Sequence, residues 1–107
     1  MIIFKTAGEL RTWRRDAAEK GLQTGFVPTM GALHDGHLSL LKAASAGNAL
    51  TLVSIFVNPT QFNDPADYAK YPNTLDKDID LLEKAGCTAL FLPSVEEMYP
   101  EGMPPSA

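Results

Sequence analysis

Residues 27–37 read VPTMGALHDGH and connect a short apolar run to a segment with helical periodicity. Residues 25–27 are predicted to be the end of a strand that Pro28 stops, because proline cannot donate to a sheet ladder. The segment that follows predicts a helix from His37 to about Ala46. A strand that leads through a glycine-bearing loop into a helix is typical of α/β proteins, which bind ligands at such loops.

The segments on both sides of this junction show the same alternation of strand and helix. Ile2 to Phe4 is apolar, and a capping box from Thr6 to Glu9 predicts a helix from Ala7 to Lys20. Ala49 to Val57 is a nearly continuous apolar and β-branched run. Such a run indicates a strand that is buried on both faces, as in a parallel sheet.

The second half of the chain completes the pattern. Residues 58–73 are predicted to be irregular, with one turn at Asp64-Pro65, and a helix over 74–85, a strand over 89–92 and a turn over 94–98 follow. The order βαβαβαβ predicts an α/β fold, a Rossmann-like, doubly wound parallel sheet, in which the loops after the strands meet at one edge. We expect the core to include six apolar side chains: Leu10, Trp13, Leu40, Leu41, Ile79 and Leu82.

Composition limits what the chain can do. Its 107 residues predict one small domain, and its net charge of −4 lacks the positive field of a nucleic-acid-binding protein. The single cysteine, Cys87, excludes an internal disulfide and a cysteine-cluster zinc site. No apolar run reaches the roughly 20 residues that span a bilayer, and the first residues lack signal-peptide features. We therefore expect a cytoplasmic protein without membrane contact.

The loop of residues 27–37 carries two histidines three residues apart, His34 and His37. Gly31 and Gly36 remove side-chain bulk, so a ligand could lie on the backbone. The start of a helix offers unpaired N–H groups and a partial positive charge, which suit phosphate. The loop therefore predicts a nucleotide site. Two alternatives remain: turn glycines with histidines that only cap the helix, and zinc, which is disfavoured because no thiol lies nearby.

A second loop follows the continuous apolar strand, and residues 53–62 read VSIFVNPTQF. The carboxamides of Asn58 and Gln61 offer donors and acceptors without charge, which suits recognition of hydroxyl and carboxylate groups. Alternatively, Asn58-Pro59 is only turn chemistry and Phe62 only a lid on the core. Further along, the aspartates at 76, 78 and 80 are expected to be solvated partners of a helix dipole rather than catalytic groups.

Together, in this order, the two loops resemble the signatures of the pantoate–β-alanine ligase (pantothenate synthetase) family. Tyr71-Pro72 and Met98-Tyr99-Pro100 are supporting matches. The resemblance implies the HIGH-motif nucleotidylyltransferase superfamily and a two-step reaction. ATP and (R)-pantoate give pantoyl adenylate and pyrophosphate, and β-alanine then attacks the adenylate to give pantothenate and AMP.

The resemblance also implies a role for each matching residue. His34 and His37 would be catalytic and lie at the phosphates, where we expect His37 to stabilise developing charge rather than to donate a proton. ATP would be bound by Met30, Gly31, Ala32, Leu33, His34, Asp35, Gly36 and His37. Pantoate and β-alanine would be bound by Gln61, Pro28, Thr29, Met30, Asn58 and Phe62. Mg²⁺ would accompany ATP without a protein metal site, and the protein would be a homodimer.

The sequence departs from the family at two points. Asn73 stands where the family usually has arginine, and family members are more than twice as long. We therefore expect residues 1–100 to form the nucleotide- and pantoate-binding domain, residues 101–107 to be a flexible tail, and the C-terminal lid domain to be absent. Alone, the chain would be weakly active or inactive.

Three other functions stay open at this point. The chain could bind pantoate or nucleotide without catalysis, or it could be a nucleotidyltransferase acting on a phosphorylated alcohol. The second is disfavoured because residues 53–62 offer amides rather than arginines. The third is a structural domain that dimerises through an edge strand.

Overall fold

Four parallel strands form the single sheet in the computed structural model, which describes residues 1–62, 64–70 and 74–102. The strands are β1 (Ile2–Phe4), β2 (Thr24–Thr29), β3 (Leu50–Ile55) and β4 (Ala89–Phe91), and their order across the sheet is β1-β4-β3-β2. Every neighbouring pair is parallel. The predicted α/β class and the predicted parallel sheet are confirmed.

Five helices accompany the strands in the described part of the chain: α1 (Ala7–Glu19), α2 (Asp35–Ala46), α3 (Pro65–Lys70), α4 (Leu75–Lys84) and α5 (Val95–Met98). A 3₁₀ turn covers Pro59–Gln61. The predicted capping box begins α1, since the Thr6 hydroxyl accepts the Glu9 N–H at 3.3 Å and donates to the Glu9 carboxylate at 2.8 Å. The first helix therefore starts where the sequence predicts.

Helices cover both faces of the sheet. Leu52 of β3 packs with Ala89 and Phe91 on the face that also meets Leu10 and Trp13 of α1. The next residue, Val53, points to the opposite face, because successive side chains in a strand alternate. That face forms the larger buried cluster, whose members are Val27, Leu41, Val53, Ile55, Leu82, Cys87 and Leu90. This two-sided burial is the doubly wound arrangement that the continuous apolar run of β3 predicts.

The prediction that Pro28 ends its strand is wrong. β2 continues through Pro28, which lies opposite Ser54, and ends at Thr29. β2 lies at an edge of the described sheet and pairs with β3 alone. Proline is tolerated on such an edge strand, because its missing N–H can fall on the side without a neighbour.

Other boundaries also differ from the predicted ones. The second helix begins at Asp35 rather than His37, because the His34 side chain caps it. Residues 58–73 are predicted to be irregular, but this segment contains the 3₁₀ turn and α3. The turn predicted at Asp64-Pro65 is the start of α3, where the Asp64 side chain accepts the Ala66 N–H at 2.9 Å. Leu40, predicted to be core, is 57% exposed. Tyr71, Pro72, Asn73 and residues 103–107 lie outside the described residues.

Candidate functional site

The two histidines of the β2–α2 loop cap one another at the start of α2. His34 accepts the Gly36 N–H on its Nδ1 at 3.0 Å, and His37 accepts the His34 N–H on its Nδ1 at 3.2 Å. The two ring centroids lie 4.1 Å apart. The arrangement is a capping box in which imidazoles replace the usual hydroxyl and carboxylate.

These hydrogen bonds fix the tautomer of both rings. A neutral imidazole nitrogen that accepts a hydrogen bond carries no proton, so the proton of each ring lies on Nε2. Burial lowers the pKa of His37 below its ordinary value of 6.5, and the nearby His34 lowers it further, while Asp78 opposes both. At neutral pH His37 is therefore an uncharged Nε2–H donor.

A buried carboxylate on α4 holds the loop just before the histidines. Asp78 is 2% exposed, and its two oxygens accept the N–H groups of Ala32 and Leu33 at 3.0 and 2.9 Å. Thr74 donates its hydroxyl to the same carboxylate at 3.0 Å. The prediction that the acids of this helix are all solvated dipole partners is wrong for Asp78.

Two residues of the loop adopt left-handed backbone conformations, Gly31 with φ of 81° and Ala32 with φ of 51°. A Cβ at Gly31 would lie 3.3 Å from the Asp78 carboxylate and 3.2 Å from the Ile55 side chain. This position therefore needs glycine for two reasons, its backbone angle and its close neighbours.

The sequence predicts unpaired backbone N–H groups in this loop, but five of them already donate to side chains of the protein. Those of Ala32 and Leu33 donate to Asp78, and those of His34 and Gly36 donate to the imidazoles. The Gly31 N–H donates to the Thr29 hydroxyl at 3.1 Å. Since the chain's own side chains use these five donors, the histidine rings are the polar side chains of the loop that line the cavity.

The loop after β3 is organised by Asn58. Its side-chain oxygen accepts the Thr60 N–H at 3.0 Å and the Thr60 hydroxyl at 2.7 Å, which closes the 3₁₀ turn. Its amide group donates to the Tyr99 hydroxyl at 2.8 Å. This carboxamide therefore shapes the turn that carries Gln61, and Tyr99 orients the carboxamide.

One cavity of about 730 Å³ joins the two loops. Its walls contain His34 and His37 of the first loop and Asn58 and Gln61 of the second. The other lining residues are Phe26, Pro28, Thr29, Met30, Gly31, Ala32, Ser54, Phe56, Phe91, Pro93 and Met98. The structure thus brings together most of the predicted site.

Four predicted residues are not among the described lining of this cavity: Leu33, Asp35, Gly36 and Phe62. Leu33 packs instead against the larger buried cluster.

Within the described residues, no three His, Cys, Asp or Glu side chains form a cluster that could hold a metal ion. No helix in this part of the chain has the length and apolar character to cross a membrane.

Sequence reasoning missed the roles of Asp78 and Tyr99. A signal for Asp78 is present, because Leu75, Asp78 and Leu82 follow helical spacing and place an acid within the apolar stripe of α4. Tyr99 gives no such signal, since its partner Asn58 lies 41 residues away.

A parallel sheet whose second strand leads through a histidine loop into a helix, with a cavity at the ends of the strands, defines an α/β protein with the nucleotidylyltransferase HIGH-motif fold. The model of the pantoate–beta-alanine ligase family matches residues 2–106. The chain belongs to that family.

Individual relatives agree with this assignment. A pantothenate synthetase of Phocaeicola vulgatus is 55% identical over 101 residues, which are 94% of this chain and 36% of the relative. One of Francisella philomiragia is 51% identical and covers 95% of this chain and 39% of the relative. The chain thus spans little more than a third of the length of these relatives.

Solved structures show the same fold. The pantoate–beta-alanine ligase of Francisella tularensis, in complex with beta-gamma ATP and beta-alanine, superposes with a TM-score of 0.87 at 46% identity. It covers 100% of this chain, which corresponds to 42% of that chain. The pantothenate synthetase of Thermus thermophilus superposes with a TM-score of 0.81 at 45% identity, over 98% of this chain and 36% of that one.

Proposed function

We propose that this chain supplies the ATP- and pantoate-binding part of a pantoate–β-alanine ligase. The observation that carries the proposal is that His34, His37, Asn58 and Gln61 line one cavity. Phosphate-directed donors and an uncharged, carboxamide-bearing wall are thereby close enough for a nucleotide and an organic acid to meet. Family membership and the ATP and beta-alanine bound to the Francisella tularensis protein support the same reaction.

The proposed reaction has two displacement steps. A carboxylate oxygen of pantoate attacks the α-phosphorus of ATP, the bond to the bridging oxygen breaks, and pyrophosphate leaves. The amine of β-alanine then attacks the acyl carbon of pantoyl adenylate, loses a proton, and AMP leaves. Both steps depend largely on holding the reactants in line, which a preformed cavity favours.

In the first step the two histidines act as hydrogen-bond donors. Their Nε2–H groups stabilise the negative charge that grows on the departing pyrophosphate. His37 donates without transferring its proton, because its lowered pKa keeps it neutral. ATP contacts the histidine rings, Met30, Gly31 and Ala32. Leu33, Asp35 and Gly36 belong to the same ATP-binding segment but are not among the described residues that line the cavity.

In the same step the wall formed by the second loop receives pantoate. Gln61 binds its hydroxyl and carboxylate and later lies near β-alanine, and Pro28, Thr29, Asn58 and Phe62 shape this part of the site. Mg²⁺ enters with the phosphates of ATP. The proposal includes a cytoplasmic homodimer in which residues 1–100 form the substrate-binding domain.

No lysine or arginine is among the described residues that line the cavity. The phosphates of ATP therefore gain little charge neutralisation from these walls, and we expect the 107-residue chain alone to show weak turnover or none. Groups outside the described walls would have to supply that charge.

A pair of substitutions at His37 tests the donor role. In asparagine the side-chain oxygen reaches roughly the place of Nδ1, so His37→Asn keeps the cap acceptor and loses the Nε2–H donor. In glutamine the amide group reaches roughly the place of Nε2, so His37→Gln keeps a donor there. Pantoate-dependent pyrophosphate release by the complete gene product should fall by about 100-fold or more in the first and less in the second.

Titration calorimetry of the same protein with ATP and with pantoate separates the remaining possibilities. Gln61→Ala should weaken pantoate binding and leave ATP binding nearly unchanged. Binding of both ligands without pyrophosphate release would instead support a binding module. If no variant weakened the binding of ATP or of pantoate, the proposed site would be contradicted.

A further inference from the structure

We propose that Asp78 is a positioning residue for the histidine loop: its buried carboxylate, held on a different helix, fixes residues 31–33 in the conformation that presents His34 and His37 to the cavity. The catalytic consequence of this anchoring rests on the proposed function, whereas the anchoring itself does not.

Burial and hydrogen bonding join Asp78 to the loop. Asp78 is 2% exposed and accepts three hydrogen bonds, from the N–H groups of Ala32 and Leu33 and from the Thr74 hydroxyl. A buried carboxylate is costly unless its oxygens are satisfied, and here donors reach both of them. Two of the three donors belong to the histidine loop, so the loop and the carboxylate stabilise each other.

The backbone geometry of the loop depends on the same contact. Gly31 and Ala32 have φ values of 81° and 51°, and a left-handed conformation is unfavourable for a non-glycine residue. Successive N–H groups in such a conformation converge on one side of the chain and form a concave anion receptor. In this protein that receptor is filled by Asp78 rather than left for a ligand.

The anchored residues are continuous with the histidine pair. Leu33, held by Asp78 at 2.9 Å, directly precedes His34, which begins the helix cap. A shift of Leu33 would therefore move the capping bonds that set both imidazole tautomers. Asp78 acts on the histidines through the loop and has no place among the described residues that line the cavity.

The carboxylate also acts on His37 through its charge. The ionisable groups that influence His37 are His34 on the same loop, which lowers its pKa, and Asp78 on α4, which raises it. Removing the Asp78 charge should therefore lower the pKa of His37 further. The shift would report that Asp78 lies close to His37 in the folded protein.

The test is Asp78→Asn in the complete gene product, with Asp80→Asn as the matched control on the same helix. Asp80 is exposed and pairs with Lys84 on the surface, at 2.8 Å. Asp78→Asn places an amide donor against the loop amides and should lower kcat/KM for ATP by about tenfold or more. The acid limb of the pH profile should move to lower pH, and the control should match the unsubstituted protein in both.

Unchanged kcat/KM together with an unchanged acid limb in Asp78→Asn would overturn the inference. If that variant fails to fold, amide hydrogen exchange in the unsubstituted protein decides. The Ala32 and Leu33 amides lie outside any helix, so slow exchange supports their anchoring by Asp78 and rapid exchange contradicts it. Absence of ATP binding in the unsubstituted protein would refute the proposed function and leave the anchoring result standing.

Discussion

At the scale of single residues, the main feature is that His34 and His37 cap α2 with Nδ1 while both residues also line the cavity. Each Nδ1 accepts a backbone N–H of the helix cap. The same hydrogen bond orients the ring and leaves its proton on Nε2. Capping of the helix by these histidines therefore does not exclude the proposed nucleotide site. Both rings cap α2, and both line the cavity.

The lowered pKa of His37 gives a pH prediction with a definite sign. Above its ordinary value of 6.5 the residue is neutral in both folded and unfolded chains and adds no pH dependence. As pH falls below 6.5, the unfolded chain takes up the proton first, so the free energy of unfolding decreases until the folded form is protonated too. NMR titration of the His37 ring should give a midpoint below 6.5.

A variant without the imidazole provides the control. Urea unfolding curves recorded between neutral pH and the His37 midpoint give the free energy of unfolding. In His37→Asn this free energy should no longer show the decrease that protonation of His37 causes. A His37 midpoint at or above 6.5 would contradict the assignment of a neutral donor.

At the scale of elements, the site depends on contacts between segments that are distant in sequence. α4 holds the β2–α2 loop through Asp78, and Tyr99, at the end of α5, holds the turn after β3 through Asn58. The Tyr99 ring also packs against Phe56, with centroids 6.4 Å apart. Each of these two cavity-lining loops is thus held by an element that contributes little or nothing to the cavity walls.

Tyr99→Phe tests this arrangement at the second loop. It removes the hydroxyl that accepts from Asn58 and keeps the ring against Phe56. The Asn58 carboxamide then loses one partner, so the turn that carries Gln61 is held less firmly. We expect KM for pantoate to rise about threefold to tenfold, the value of one ordinary hydrogen bond.

The KM for ATP is the internal control for this variant, because none of the hydrogen bonds described for the histidine loop involves Tyr99. Equal increases in both constants would indicate a general loss of structure and contradict a local role.

At the scale of the whole molecule, the parallel strands supply the base for both loops. β3 and β4 are buried almost throughout, and Leu52, Val53 and Leu90 are the largest side chains that are fully buried. Both cavity-lining loops begin where adjacent strands end, at Thr29 of β2 and Ile55 of β3. These strands and short connections therefore set the distance between the histidines and Gln61.

Leu90→Ala and Leu40→Ala together test where the core lies. Leu90 is 0% exposed, so its truncation leaves a cavity and should lower the free energy of unfolding by about 2–5 kcal/mol. Leu40 is 57% exposed, and its truncation should change that free energy by about 0.5 kcal/mol or less. Urea unfolding of the two variants measures both values, and similar losses would contradict the observed burial.

The sequence by itself determined the parallel sheet, the alternation of strands and helices, and the two loops that form the candidate site. These follow from local features: apolar run length for β3, the capping box for α1, and the spacing of His34 and His37 beside glycines. Local patterns are sufficient there because each element's periodicity reports which of its faces is buried.

Only the tertiary structure decided which groups remain free to meet a ligand. The N–H groups of Ala32 and Leu33 donate to Asp78, which lies 45 residues beyond Leu33 along the chain. The Asn58 amide group donates to the Tyr99 hydroxyl. Pro28 is accommodated because β2 is an edge strand of the described sheet. Hydrogen-bond partners and strand order arise when distant segments pack, and no local periodicity encodes them.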